Sequence, residues 1–417
     1  MAGKNEVFRQ EFDAANCTRC GDCFSRCPVV HLPVDEAKRE IGDIIDKHES
    51  RHVLGQCTSC MACKLYCSTS SCDPHALVTA IWGNRYKEKG LPVSLEWTLP
   101  YQLPTVYTKA RDKYPRDQQA LIASWDHLPT GGGTALYAGC NMILQPYMLK
   151  SKLFDGVDIF GSGNLCCGEP LFRMGLRDVE KQIAERLRDI FAKMKCDEII
   201  MPCLAGYYML TVVYPKIFGI SIDAKFKPLL DWLHARVKAG EVPITTPFKN
   251  TQATVHDNCW PKIGGNHFFD VARDLIKATG IEIVEMEHTR ENALCCGMGG
   301  VAANYSVTYG LKCGIKRLKE AKATGADFLV DYCGGCNWFL GTSRLMSVER
   351  LPEVYHVLQL LQQATGEMPL DGKNKTVARK IMAATMRYLV PRTLSKKRFW
   401  YKDVSGWPPL ASSNKKK

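Results

Sequence analysis

Apolar positions recur at two different periods along this chain. "VDEAKREIGDIIDKH" (34–48) sets Ile41, Ile44, Ile45 and His48 at helical spacing. "DVEKQIAERLRDIFAKM" (178–194) and "DVARDLIKATG" (270–280) are amphipathic helical patterns of the same kind. Between such helices lie short apolar runs rich in β-branched and aromatic residues. They are "TALY", "DIF" and "EIIM", and further on "ATV", "IEIV" and "FLVD". Strands that alternate with helices predict parallel α/β units. Proline, aromatic and polar residues crowd the stretch 83–133, which ends in "PTGGGT" and reads as leading into a linker. The expected organisation is an α+β multidomain chain. A helical domain covers 1–100, a linker 101–133, two α/β domains 134–245 and 246–366, and a tail 367–417. "PFKN" at 247–250 reads as the joint between the two α/β domains.

A chain of 417 residues is long enough for several cores, and 46% hydrophobic with 24% charged residues is a globular composition. Two long uncharged stretches, His127–Leu149 and Ile199–Pro215, are interrupted by proline and glycine, so neither reads as a membrane span. The charged N-terminus shows no apolar secretory core, and the expected location is the cytoplasm. Twenty cysteines in a reducing compartment point to metal ligation rather than disulfides.

"CTRCGDCFSRCP" supplies Cys17, Cys20, Cys23 and Cys27, and "CTSCMACKLYC" supplies Cys57, Cys60, Cys63 and Cys67. Both have the C-x2-C-x2-C-x3-C spacing of bacterial ferredoxins, whose fourth cysteine ligates the other cluster. One cubane [4Fe–4S] cluster is therefore expected on Cys17, Cys20, Cys23 and Cys67. The second is expected on Cys57, Cys60, Cys63 and Cys27. Zinc also takes four thiolates, but zinc ribbons use separated C-x2-C pairs. Gly21 eases the first loop and Pro28 turns the chain away. Ser68 replaces proline in the second motif, and Cys72 reads as a bystander.

The strand runs form an internal repeat. The first copy carries Cys140, the adjacent pair Cys166 and Cys167, then Cys203. The second carries Cys259, the pair Cys295 and Cys296, then Cys333 and Cys336. Corresponding cysteines lie 119, 129 and 130 positions apart, so an insertion of about ten residues precedes the second pair. Each group follows a strand run, and ligands of parallel sheets gather at the carboxyl ends of strands. Gly206 stands in the first copy where the second has Cys336. Four thiolates there leave a modified cluster, a [2Fe–2S] centre, zinc or a metal-free remnant open. Cys196, before "EIIMP", and Cys313, on "GLKCGIKRLKE", read as structural cysteines.

The second copy's C-x35-CCG-x35-CGGC resembles the cysteine-rich CCG domain of heterodisulfide reductase catalytic subunits. The same domain occurs in iron–sulfur subunits of glycolate and lactate oxidoreductases. The resemblance covers residues 10–80 and 134–345. It implies a noncubane [4Fe–4S] cluster held by Cys259, Cys295, Cys296, Cys333 and Cys336. Gly297, Gly299 and Gly300 would then allow close backbone approach.

No Rossmann fingerprint or phosphate loop is present, so neither NAD nor flavin is expected to bind this chain. His256 reads as a core histidine that is able to donate to a cluster sulfur. Asp257 and Glu169 read as groups behind the ligands that tune potential. The net charge of +12 belongs almost wholly to the tail, where 13 Lys and Arg face two acids from Asp371 onward. "VARKIMAATMRYLV" sets Val377, Ile381, Met382, Ala384, Tyr388 and Leu389 on one helix face, with Arg379, Lys380 and Arg387 opposite, and Pro391 as its end. Beyond it, Phe399, Trp400, Tyr401 and Trp407 accompany a basic cluster. The tail reads either as a helix packed on the core or as a peripheral dock on an anionic membrane or a partner there. Nucleic acid is not expected, since no recognition module accompanies the charge.

Two functions are in view. The chain is a catalytic iron–sulfur subunit acting on a disulfide or thiol, or a relay without a substrate of its own. The relay would link a flavoprotein dehydrogenase or electron-transfer flavoprotein to a membrane quinone pool.

Overall fold

The computed structural model describes residues 11–69, 71–99, 105–264, 267–304 and 306–400. The N-terminal residues 1–10, and Tyr401 and Trp407 of the tail, lie outside the described residues.

The first domain is helical, as the spacing around its cysteines requires. Short helices Asp22–Ser25 and Ala62–Tyr66 follow the two cysteine loops. Each is entered through a left-handed residue, Gly21 at φ 82° and Met61 at φ 63°. The amphipathic helix Val34–Lys47 buries Ile41 and Ile44 between the loops. His48, expected on that face, is exposed, because it caps the helix in the left-handed conformation at φ 55°. Glu40 from the same helix is buried. Its carboxylate accepts the backbone N–H groups of Arg51, His52 and Val53 at 2.8, 3.0 and 3.2 Å and the Ser50 hydroxyl at 2.5 Å. The loop that begins the second cysteine motif is thus tied to the helix after the first. The long helix Pro74–Lys89 is capped by Asp73, which also takes Lys64 into a buried ion pair at 2.5 Å.

A two-stranded antiparallel ladder, β1 (Leu91–Pro92) with β10 (Arg398–Phe399), joins this domain to the chain's end. Residues 105–133, expected to be a linker, hold the helices Val106–Lys109 and Arg116–Ser124, with Tyr107, Tyr114, Ile122 and Trp125 buried.

The repeat folds as two four-stranded parallel sheets. The first contains β2 (Thr134–Tyr137), β3 (Asp158–Phe160), β4 (Glu198–Met201) and β5 (Phe226–Pro228), in the order β3-β2-β4-β5. The second contains β6 (Gln252–Val255), β7 (Glu282–Ile283), β8 (Phe328–Asp331) and β9 (Glu353–His356), in the order β7-β6-β8-β9. The chain leaves the first strand of each sheet in one direction and then returns across it. The crevice of each sheet therefore opens between β2 and β4, and between β6 and β8. Helices Arg177–Phe191 and Val307–Ala323 are the matching crossovers.

The last helix, Lys373–Thr393, buries Val377, Ile381 and Ala384 against the body and leaves Arg379, Lys380 and Arg387 exposed. It runs two residues past Pro391, which was expected to end it. A proline in the final turn removes one N–H and leaves the turns before it intact.

Replacing Glu40 by Ala leaves three N–H groups without their acceptor, that of Val53 buried, and should cost on the order of 2 kcal/mol in denaturant unfolding. The second cysteine loop should loosen with it, read as earlier iron loss on anaerobic titration with a chelator.

Candidate functional site

Strand ends deliver the cysteines. Cys140 lies three residues beyond β2 and Cys203 two beyond β4, while Cys166 and Cys167 follow β3. In the second sheet Cys259 follows β6, Cys333 follows β8, and Cys295 and Cys296 close the long connection after β7. The two crevices face each other across one cavity of about 370 Å³, lined by all eight of these cysteines, by Cys336 and by Cys60 of the helical domain. Cys296 and Cys336 lie 3.3 Å apart, and Cys140 and Cys166 3.6 Å apart. Neither adjacent pair is a disulfide. Contacts between the copies close the cavity. Gln145 Nε2 donates to Gly334 O at 2.7 Å, and Trp260 stacks on Tyr208 at 5.6 Å between centroids.

In the helical domain the cysteines mix across motifs. Burial raises the Cys23 thiol, and the largest charge effect reinforcing this comes from Cys67 of the other motif, ahead of Cys20 and Cys17. Burial likewise pushes Cys27 up to about 11, with Cys60 of the second motif as its thiol neighbour. Cys57 and Cys63 are raised for the same reason, with Cys27 among their neighbours. Cys72 lies apart, donating to Asp13 O at 3.2 Å.

The two halves meet at a seam. Thr58 Oγ1 donates to Cys295 Sγ at 3.2 Å, and Cys295 packs against the cluster that contains Cys60. The glycines after Cys296 serve this contact. A Cβ on Gly299 would overlap Thr58 O, and one on Gly297, at φ 95°, would overlap Gly310 O. What crowds these glycines is the protein's own backbone, chiefly the ferredoxin-type loop.

Arg173 completes the seam. It is buried, donates through Nη2 to Cys259 Sγ at 3.2 Å, and also binds Ser59 O and Glu169. Glu169 further accepts from Trp260 Nε1 at 3.0 Å. Burial raises Cys259 to about 11, while the Arg173 charge pulls the other way. Sequence reasoning found Glu169 and missed Arg173. Its only trace is an i,i+4 Glu–Arg pair, which on most helices is a surface ion pair.

Asp257 proves to be an anchor. It takes both Arg273 terminal nitrogens at 2.9 Å, the Tyr332 hydroxyl at 2.9 Å and Arg290 N at 2.6 Å. Cys196 precedes β4, at the end away from Cys203, and Cys313 sits half-buried on the helix Val307–Ala323. In the first copy, a Cβ built on Gly206 would stand 3.7 Å from Cys167 Sγ and 3.2 Å from the Met201 methyl. Gly206 thus occupies the place that Cys336 takes beside Cys296, and Met201 fills the space left by the absent thiol.

The donor set fits iron–sulfur centres. Its atoms are almost all sulfur; burial raises Cys203 to about 12 and Cys259 to about 11, while the neighbouring Cys336 thiol lowers Cys333 to about 7. A bound cation would hold these thiols together as thiolates.

Residues 13–71 match the 4Fe-4S dicluster domain, and residues 135–211 and 253–341 match the CCG cysteine-rich domain. The chain is therefore a heterodisulfide-reductase-like iron–sulfur oxidoreductase, with a dicluster domain followed by two CCG segments. It is 24% identical to a subunit of the dihydromethanophenazine:CoB–CoM heterodisulfide reductase of Methanosarcina mazei, over 87% of this chain and 97% of the relative. A probable iron–sulfur-binding oxidoreductase of Bacillus subtilis, FadF, is 27% identical over 84% of this chain and 46% of its own length. The EtfAB:quinone oxidoreductase of Syntrophomonas wolfei is 25% identical over 55% of this chain and 34% of its own length.

Cys296→Ser should remove the second copy's centre and spare the two cubane signals in EPR, because their ligands lie in the other domain. Cys313→Ser should leave iron content unchanged. Equal iron loss in both variants would overturn the ligand set. Gly206→Cys supplies the missing thiol beside Cys167 and should give the first copy a new EPR signal like that of the second.

Proposed function

We propose that this chain is the iron–sulfur subunit of a two-electron oxidoreductase, with disulfide or thiol chemistry carried out in the cavity between its two CCG domains. The carrying observation is the seam, where Thr58 and Cys60 of the ferredoxin-type loop touch Cys295 of the cavity. Two cubane clusters would be held by Cys17, Cys20, Cys23 and Cys67, and by Cys57, Cys60, Cys63 and Cys27. Cys259, Cys295, Cys296, Cys333 and Cys336 would hold a noncubane centre. Cys140, Cys166, Cys167 and Cys203 would hold a further iron–sulfur centre or zinc. Such centres supply one-electron transfer when bound. The protein's own part is to keep the ligands buried, hold the seam closed and shape a cavity of about 370 Å³, within the range of small-molecule sites.

A second reading rests on the mouth of the cavity. Met346 and Val390 line it and are exposed, and Val348 and Leu394 nearby are exposed as well. An apolar rim beside the basic tail suits an interface with lipid or with a membrane subunit. In that reading the chain relays electrons between a flavoprotein and a quinone pool, as the likeness to the Syntrophomonas wolfei protein also favours. No helix among the described residues is long and apolar enough to cross a membrane.

Anaerobic purification tests both readings. We expect about twelve irons per chain at four for each firm centre, and more if the first copy is filled. About eight would remove the noncubane assignment, and stoichiometric zinc would assign the first copy. Turnover of a disulfide by the isolated subunit with a viologen donor supports the first reading. A co-purifying flavoprotein, with no disulfide turnover, supports the relay.

A further inference from the structure

We propose that His256 is a positioning residue of the second cysteine site, its Nε2–H being the donor the protein supplies to the Cys296 and Cys336 sulfurs. This deepens the function proposed above and rests on the second copy holding an iron–sulfur centre.

His256 directly follows β6, and its backbone N–H bonds Val330 O of β8 at 2.8 Å. That pins it in the crevice between the two strands, where it lines the cavity at 1% exposure. A ring nitrogen lies within 4.8 Å of both the Cys296 and the Cys336 sulfurs. Nδ1 is already engaged, 3.1 Å from Arg317 Nε. Arginine offers only donors, so Nδ1 accepts and carries no proton. The imidazole is then the neutral tautomer with its proton on Nε2. Arg317 cannot turn away, because it also holds Glu320 at 2.6 Å, His288 O at 2.8 Å and Val255 O at 3.1 Å.

Nε2 has no hydrogen-bond partner among the described residues. A buried donor without a partner is rare in folded proteins and asks for an explanation. Sulfurs that carry negative charge at this spot supply one. A hydrogen bond to a ligand sulfur favours the more negative, reduced state and so raises the reduction potential. The first copy lacks the device. Tyr137, at the position matching His256, gives its hydroxyl to Leu165 O at 3.0 Å. The two halves of the cavity therefore differ in a donor as well as in a ligand, and the complete site is the one tuned to accept electrons.

The test uses the full chain, purified anaerobically, with His256→Phe and His256→Gln. His256→Phe should keep its iron and both cubane signals while the second-copy centre titrates at a lower midpoint potential. His256→Gln, which retains an amide N–H, should recover part of that shift. Arg317→Met frees the tautomer and should lower the midpoint in the same direction. An unchanged midpoint in His256→Phe overturns the proposal. So does selective loss of about four irons, which would make His256 a ligand. A measurement on the unaltered protein stands if the variants fold poorly. Histidine labelled with 15N should show a weak coupling to the centre together with an exchangeable proton. A strong, directly bonded coupling, or none, counts against the donor role. Wild-type protein with only about eight irons would instead remove the underlying assignment, a separate failure from a midpoint that does not move.

Discussion

Arg173 carries a permanent positive charge at 4% exposure, and its guanidinium is committed across every internal boundary of the protein. One nitrogen meets Ser59 O of the ferredoxin-type loop, another Cys259 of the second CCG domain, and the third Glu169 on its own helix in the first. Taking such a charge out of water costs several kcal/mol unless it is met by negative charge and hydrogen bonds in good geometry. Glu169 and the Ser59 carbonyl meet part of it. The remainder falls to the Cys259 sulfur, 3.2 Å from Arg173 Nη2, which would be the counter-charge once ionised. One side chain thus ties the three domains together at the seam and places a positive charge against the Cys259 sulfur.

The repeat gives this coupling its form. Two parallel sheets with the same strand order carry their cysteines at the same strand ends, and the crevices are set mouth to mouth. Each copy's first cysteine is followed by a residue that packs into the other copy, Asn141 beside Gly335 and Trp260 against Tyr208. Two of the differences between the copies fall at the cavity wall. Gly206 with the Met201 methyl replaces a thiol, and Tyr137 replaces a ring that is able to face the sulfurs. One half keeps five thiols and a donor, the other four thiols and an apolar plug. The cavity is therefore asymmetric in its thiols and in the residues that pack beside them.

Much of this was legible from spacing. Cysteine triplets, the repeat offsets and the strand runs are local features, and the chain's geometry carries them directly into loops, sheets and strand ends. The neighbours of Cys67 and Cys27 across the two motifs follow from that same spacing. What stayed hidden depends on contacts between distant segments. Arg173 reads as half of a helix ion pair, and Thr58 as filler within a cysteine loop. The glycines after Cys296 advertised a close approach without saying to what, because the approaching group lies about 240 residues earlier in the chain. His48 and Pro391 show the smaller error that periodicity makes at helix ends, where capping rather than face decides the outcome.

The tail illustrates how one helix serves two surfaces. Val377, Ile381 and Ala384 are spent on the body, so the apolar face seen in the sequence is not free for a membrane. Further along the same helix Met386, Leu389, Val390 and Thr393 turn to the cavity that holds the cysteines. Its exposed side carries the basic residues. A cavity whose inner wall is sulfur and whose mouth is apolar, with positive charge beside it, suits a molecule or partner that would enter by an apolar surface and lie near the cysteines. Whichever acceptor the protein serves must satisfy both ends at once. It must present an apolar portion to the last helix and a redox-active group to the cysteines behind it.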